Sequence, residues 1–203
     1  MGNAGQICCA SKRFLIHESV KTEFREKLVE KLKKIPMGDP TDPGNTVGCL
    51  ISEQAAKQVE EQVALCIKQG AKCILGGKRY DKSFFQATVL DEVTADMEIA
   101  RDMEVFGPVF PLISVASEEE AITIANQSCY GLSGAIFSRN VGRAISIASR
   151  LETAGNVING GSAYRTPDLA FGGYKKSGIG REGISRTLEE LTQEKNYILK
   201  GVL

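Results

Sequence analysis

The stretch Asn3-Ala4-Gly5-Gln6-Ile7-Cys8-Cys9-Ala10-Ser11-Lys12-Arg13 combines a flexible approach, a thiol and a cationic end. If it carries chemistry, Cys8 is the nucleophile. A free cysteine with a pKa of about 8.5 is only a few per cent thiolate at neutral pH, so its surroundings must help it. Gly5 lets the backbone come close to a ligand, and residues 8–12 can open a helical turn whose free N–H groups favour an anion. That bias amounts to about 0.3–1 kcal/mol at an exposed site, or less than about one pKa unit. A general base is therefore needed as well. Packing is the competing reading, because cysteine is among the residue types most often buried.

Other candidate motifs carry less. Gly178-Ile179-Gly180-Arg181-Glu182-Gly183 matches G-x-G-x-x-G, but a dinucleotide fingerprint follows a buried hydrophobic strand, and Gly173-Tyr174-Lys175-Lys176-Ser177 is not one. A tight structural turn is the better reading. The six cysteines (Cys8, Cys9, Cys49, Cys66, Cys73, Cys129) include no C-x-x-C pair, and one histidine, His17, completes no usual zinc site, so no metal centre is expected. A chain of this length can build a core without staples, so the thiols are expected to be reduced. Glu104, in Arg101-Asp102-Met103-Glu104, reads by itself as a solvated acid.

These groups need a scaffold to position them. Residues 14–17 read as a strand, and Val20, Phe24, Leu28, Leu32 and Ile35 then fall on one helical face that Pro36 ends. A second helix over 52–69 turns Ala56, Val59, Val63 and Cys66 inward and stops at Gly70. Strands follow at 73–75, 85–90 and 109–115, where Pro111 argues for an edge or an irregular start. Ser117-Glu118-Glu119-Glu120 is a capping box opening a helix with Ala121, Ile124 and Ala125 inward. A strand at 134–137, a helix capped by Asn140 and a strand at 157–159 complete the pattern. Strands separated by amphipathic helices predict an α/β domain with a mostly parallel sheet flanked by helices. Residues 160–183 have neither period, and a long irregular stretch in a compact domain is usually functional. After a short helix near 185–191, residues 194–203 read as a C-terminal strand that needs a partner to bury it, hence a candidate oligomerisation element.

The 203 residues, 42% hydrophobic, suit one domain with a sizeable core. Lys+Arg and Asp+Glu number 25 each, which argues against broad electrostatic attraction to nucleic acid or an anionic membrane. No apolar run approaches the ~20 residues of a membrane span, and the N-terminus lacks the pattern of a secretory signal, so a cytoplasmic protein is expected.

Gly5-Gln6-x-Cys8, preceded by Asn3 and closed by Arg13, resembles the catalytic-cysteine signature of the aldehyde dehydrogenase superfamily. Met37-Gly38-Asp39-Pro40, Glu104-Val105-Phe106-Gly107-Pro108, the run from Asn126 to Tyr130-Gly131-Leu132-Ser133, and Phe171-Gly172-Gly173-Tyr174-Lys175-Lys176-Ser177-Gly178 follow in that family's order and spacing. In feel the chain is similar to bacterial succinate-semialdehyde-type members. The resemblance implies a catalytic thiol domain over 1–193 without the family's N-terminal dinucleotide-binding domain. It implies oxidation of a small aldehyde, possible semialdehydes included, to a carboxylic acid with NAD or NADP. Cys8 would form a thiohemiacetal and then a thioester.

The resemblance also assigns cofactor binding to Glu104, which would accept hydrogen bonds from ribose hydroxyls, and to Phe106, which would pack near the nicotinamide. Substrate binding falls to Ile7, Cys9, Ser162, Arg165 and Phe171. Arg165 can hold an anionic far end of the substrate bidentately, or it can face solvent or a neighbouring subunit. The family's oxyanion asparagine and general-base glutamate lie upstream of its cysteine, so the chain alone is expected to be inactive, and the intact enzyme to be a homo-oligomer. The alternative is a non-catalytic interaction or assembly module.

Overall fold

A computed structural model describes residues 1–201. After a 3-10 turn at Gly2–Gly5, the chain runs through β1 (Phe14–His17), α1 (Glu18–Lys33), α2 (Glu53–Lys68), β2 (Lys72–Leu75), β3 (Arg79–Tyr80), β4 (Phe84–Phe85), β5 (Thr88–Val93) and β6 (Val109–Val115). It continues through α3 (Glu118–Asn126), β7 (Tyr130–Gly131), β8 (Ser133–Ile136), α4 (Val141–Arg150), β9 (Gly155–Ile158), β10 (Tyr174–Lys175) and α5 (Ile184–Leu191).

The main sheet has the order β1-β6-β5-β2, with β1, β6 and β5 parallel and β2 antiparallel at the edge. The expected α/β domain with a mostly parallel sheet is therefore formed. Because β5 and β6 are covered on both faces, nearly every residue in them is buried, as in parallel sheets generally. Side chains alternate along β6: Val109, Ile113 and Val115 join the core that α2 covers through Ala56, Val59, Val63 and Cys66. Leu112 joins Ile16, Leu32, Ala87 and Val89 on the other side, under α1. Two cations of α1 grip the sheet from that side: Lys21 Nζ lies 2.9 Å and Arg25 Nη1 3.1 Å from the carboxylate of Asp91, which is buried in β5. A parallel β8–α4–β9 unit and the short antiparallel pairs β3–β4 and β7–β10 make up the remaining sheets.

Helix caps follow the sequence. Ser52 and Asn140 accept from the backbone N–H groups three residues on. Ser117 accepts from Glu120, whose carboxylate reaches back to the N–H of Ala116. His17 caps α1, its ring nitrogen accepting from the Ser19 N–H, which gives this histidine a structural task.

Some expectations are corrected. Pro111 lies in a strand with neighbours on both sides and not at an edge; it pairs with Leu90 of β5, just before that strand's register shifts, and precedes the β1 pairing, which begins at Leu112. The strand expected over 85–90 is broken between β4 and β5. The α1 face is only partly covered, with Val20 and Phe24 exposed. The strand expected over 194–203 is not formed in residues 194–201, which pair with nothing among the described residues, and its last two positions lie outside them.

Candidate functional site

The thiols stand on a turn between a strained approach and β1. Asn3 and Ala4 take left-handed backbone angles, φ 49° and 54°, which cost non-glycine residues about 1 kcal/mol or more each and persist only where the surroundings impose them. Here the surroundings are explicit. Ala4 is buried in the main core, and Gln6 returns its N–H and its side-chain amide to the Asn3 carbonyl, both at 3.0 Å. The Gln6 carbonyl oxygen Oε1 also accepts the Ile51 N–H at 2.8 Å, fastening this segment to the chain before α2.

The Ala10 N–H then donates to the Ile7 carbonyl at 3.1 Å, closing a turn with Cys8 and Cys9 at its two central positions. The helical turn expected at 8–12 is absent, so no helix N-terminus supports the thiol; the chain extends straight into β1. Cys8 is exposed and Cys9 half-buried. Burial pushes the Cys9 thiol up, the adjacent Cys8 adds to the rise, and Arg165 opposes it.

The irregular segment after β9 reaches this turn. Ser162, buried, donates to the Cys9 carbonyl at 2.7 Å and shares a hydrogen bond of 2.9 Å with Ser11. Its hydroxyl is thus engaged in holding the turn. The Arg165 guanidinium stacks 4.2 Å over the Phe171 ring and lies 3.5 Å from Glu182, an exposed partner. Phe171 is itself pinned by paired backbone bonds with Glu182. The segment at 178–183 is a bent loop, with Gly178, Gly180 and Gly183 all at positive φ; the turn itself lies just before it, at Lys176–Ser177, and follows the exposed two-residue β10 and not a buried strand.

From the other side comes the segment before β6. Glu104 and Phe106 are exposed while Val105, between them, is buried in the core. The Glu104 carboxylate has no hydrogen-bond or ion-pair partner among the described residues, and the Phe106 ring, two positions on, is 40% exposed with the Lys12 ammonium over one face. A carboxylate that accepts two hydroxyls and a ring face that stacks on a flat heterocycle are a donor set that fits a nucleotide ribose and its base. No cluster of His, Cys, Asp or Glu suited to a metal occurs among the described residues.

Residues not singled out as site residues from sequence hold these parts together. Lys12 donates to the Gly5 carbonyl and the Val105 carbonyl, each at 3.0 Å, and sits 4.2 Å over the Phe106 ring. Arg13 donates to the carbonyls of Ala100, Ile124 and Ala125, joining the thiol segment to the end of α3. Their charge was visible in the sequence; their partners, backbone carbonyls that apart from Gly5 lie 87 to 112 residues away, were not.

A profile of the aldehyde dehydrogenase family matches residues 1–197. The chain belongs to this family. A lactaldehyde dehydrogenase from Methanococcus aeolicus is 41% identical over 197 residues, covering 97% of this chain and 42% of that protein. A 3-sulfolactaldehyde dehydrogenase from Priestia aryabhattai is 39% identical, with 97% and 41% covered. The structure of succinic semialdehyde dehydrogenase from Streptococcus pyogenes, in complex with NADP+ as the cofactor, superimposes with a TM-score of 0.90 at 40% identity, covering 97% of this chain and 44% of that one. The chain thus spans about two fifths of the length of these family members.

Proposed function

We propose that this chain carries the nucleophilic thiol and the nicotinamide-facing segment of an NAD(P)+-dependent dehydrogenase that oxidises a small aldehyde to a carboxylic acid. The observation supporting it is geometric: an exposed cysteine on a turn that is tied, through Lys12, to a segment presenting an unpartnered carboxylate and an exposed phenyl ring with the Lys12 ammonium over one face.

Cys8 is the nucleophile. Its sulfur adds to the aldehyde carbon as the C=O π pair moves onto oxygen, giving a thiohemiacetal. NAD(P)+, when bound, supplies the acceptor for the hydride that leaves this carbon. Hydrolysis of the resulting thioester gives the acid, breaks the C–S bond and returns the thiol. Glu104 accepts from the ribose hydroxyls and Phe106 bounds the nicotinamide site. Ile7, Cys9 and Phe171 line the approach to the thiol, Ser162 holds the turn that shapes it, and Arg165 receives an anionic far end of the substrate. That last assignment accords with the relatives, whose names include a sulfonated aldehyde and a semialdehyde.

The family resemblance assigns the oxyanion and general-base groups and the main cofactor anchor to parts of the family's length that this chain, about two fifths of it, does not span, so the 203 residues alone are expected to turn over no aldehyde. Loss of one oxyanion donor alone typically lowers the rate by about 10²–10³. Ile184, Leu188 and Leu191 form an exposed apolar face along α5 and support assembly with further polypeptide, a second copy included.

The test uses the chain as it is. Lactaldehyde or succinate semialdehyde protects Cys8, and not Cys129, from alkylation by iodoacetamide, and titrated NAD+ binds no tighter than millimolar. Absence of protection at Cys8 removes the thiol from the reaction; micromolar NAD+ affinity shows that a cofactor site is complete within this chain.

A further inference from the structure

Lys12 is four residues beyond the thiol, yet its side chain leaves the thiol segment and ends between two others. The ammonium has three N–H donors, and three groups face it: the Gly5 carbonyl at 3.0 Å, the Val105 carbonyl at 3.0 Å and the Phe106 ring at 4.2 Å. None of its donors is left for a substrate. Gln62, on α2, donates to the next carbonyl along, that of Glu104, at 3.2 Å, while its own Oε1 is buried without a partner among the described residues. Only the amide nitrogen can donate to that carbonyl, so its orientation is set by the Glu104 backbone even though the other end of the amide goes unpaired. Two successive carbonyls of the 104–106 segment are therefore held by side chains from two different elements.

The Lys12 link differs from the Gln62 link in what lies at its far end. Gly5 belongs to the thiol segment, three residues before Cys8, whereas Gln62 makes no bond to that segment. Charge-assisted bonds to carbonyls are roughly twice as strong as neutral ones, and both of these are partly buried. Burial pushes the Lys12 pKa down, with Glu104 and the thiols at Cys8 and Cys9 opposing the fall.

We propose that Lys12 is a positioning residue that fixes the thiol turn against the Glu104–Phe106 segment, so that the two move as one body. The inference deepens the function proposed above, because it concerns the same thiol and the same carboxylate, but its test measures amide exchange and needs no turnover.

Hydrogen exchange is followed by mass spectrometry in the 203-residue chain and in its Lys12→Met and Lys12→Arg variants. Loss of the ammonium raises exchange at residues 3–9 and at residues 103–107 together, by about tenfold, the scale of one charge-assisted hydrogen bond. Exchange in α1 and α4 stays as it was. Lys12→Arg keeps a charged donor and returns both segments to within about twofold of the parent. A Gln62→Leu variant loosens 103–107 alone, which separates the two links. Faster exchange in only one segment of Lys12→Met, or in neither, overturns the proposal. Were the methionine variant not to fold, an arginine variant that loosens one segment while sparing the other would overturn it equally.

Discussion

Gly5 and Gly107 meet backbone to backbone: a Cβ on Gly5 would stand 2.3 Å from the Gly107 carbonyl oxygen. One close approach that Gly5 permits is thus to another part of the chain, at Gly107 just after Phe106. Gly5 also has a φ of +80°, which costs a side-chain-bearing residue about 1–2 kcal/mol before any clash is counted. Gly5→Ala is expected to lower the melting temperature by at least about 4 °C and to change the alkylation rate of Cys8. An unchanged melting temperature would mean that the two segments separate at no cost.

The six thiols are expected to label in an order set by exposure and by local field. Cys8 is exposed and reacts first at neutral pH. Burial raises the Cys9 pKa, with Cys8 adding to it. Desolvation raises that of Cys129, with the Asp102 carboxylate adding to it. Cys66, fully buried, is pushed up to about 11. Since the thiolate is the reactive form, the raised pKa values of Cys9 and Cys129 slow their labelling at pH 7 and release it as pH rises toward 9, and Cys66 stays protected throughout. Peptide mapping after short exposure to iodoacetamide checks this; Cys129 labelling ahead of Cys8 at pH 7 contradicts the order.

Asp91 gives the fold an acid-sensitive joint. Burial pushes its carboxyl up, but Lys21, the Glu92 N–H and Arg25 together outweigh burial and leave its pKa below the usual carboxylate range. A depressed folded pKa stabilises the protein above the unfolded value of about 3.9, and that stability is lost as pH falls through the folded pKa. Asp91→Asn is expected to cost about 1–3 kcal/mol at pH 7 and to flatten the dependence of stability on pH below about 4. Urea melts at pH 7 and pH 3.5 measure both; an equal loss at the two pH values would show that the charge itself contributes nothing.

Much of this fold was legible because it rests on local pattern. Ala56, Val59, Val63 and Cys66 recur at helical spacing and all four are buried, and Ser52, Ser117 and Asn140 cap the helices they precede. What escaped depends on partners distant in sequence. Pro111 suggests an edge locally, but β6 lies between β1 and β5, and the proline falls one residue before the β1 pairing begins. Residues 8–12 can start a helix, but Gln6, Ser162 and Lys12 hold them in a turn from three directions. The signature around Cys8 named its residue; Lys12 read only as part of a cationic end to that stretch, and its bond to the Val105 carbonyl was not legible.

Arg165 is where substrate choice is expected to show. Its guanidinium is fixed in orientation by stacking on Phe171 but retains 40% of its side-chain exposure, and its acidic neighbour Glu182 is 73% exposed at 3.5 Å. An ion pair so open to water is worth at most about 1 kcal/mol, too little to keep the guanidinium from a carboxylate or sulfonate that can meet it bidentately in a less solvated approach. In a polypeptide of full family length, Arg165→Met is expected to raise the KM for succinate semialdehyde by about ten- to a hundredfold, the scale of a charge-assisted pair, and to leave propionaldehyde within about threefold. Glu182→Gln removes the competing carboxylate and moves the anionic substrate the other way, by a smaller factor. Equal losses for charged and uncharged aldehydes in Arg165→Met would show that the arginine only braces Phe171, and an unchanged KM for both would place it outside the substrate's reach.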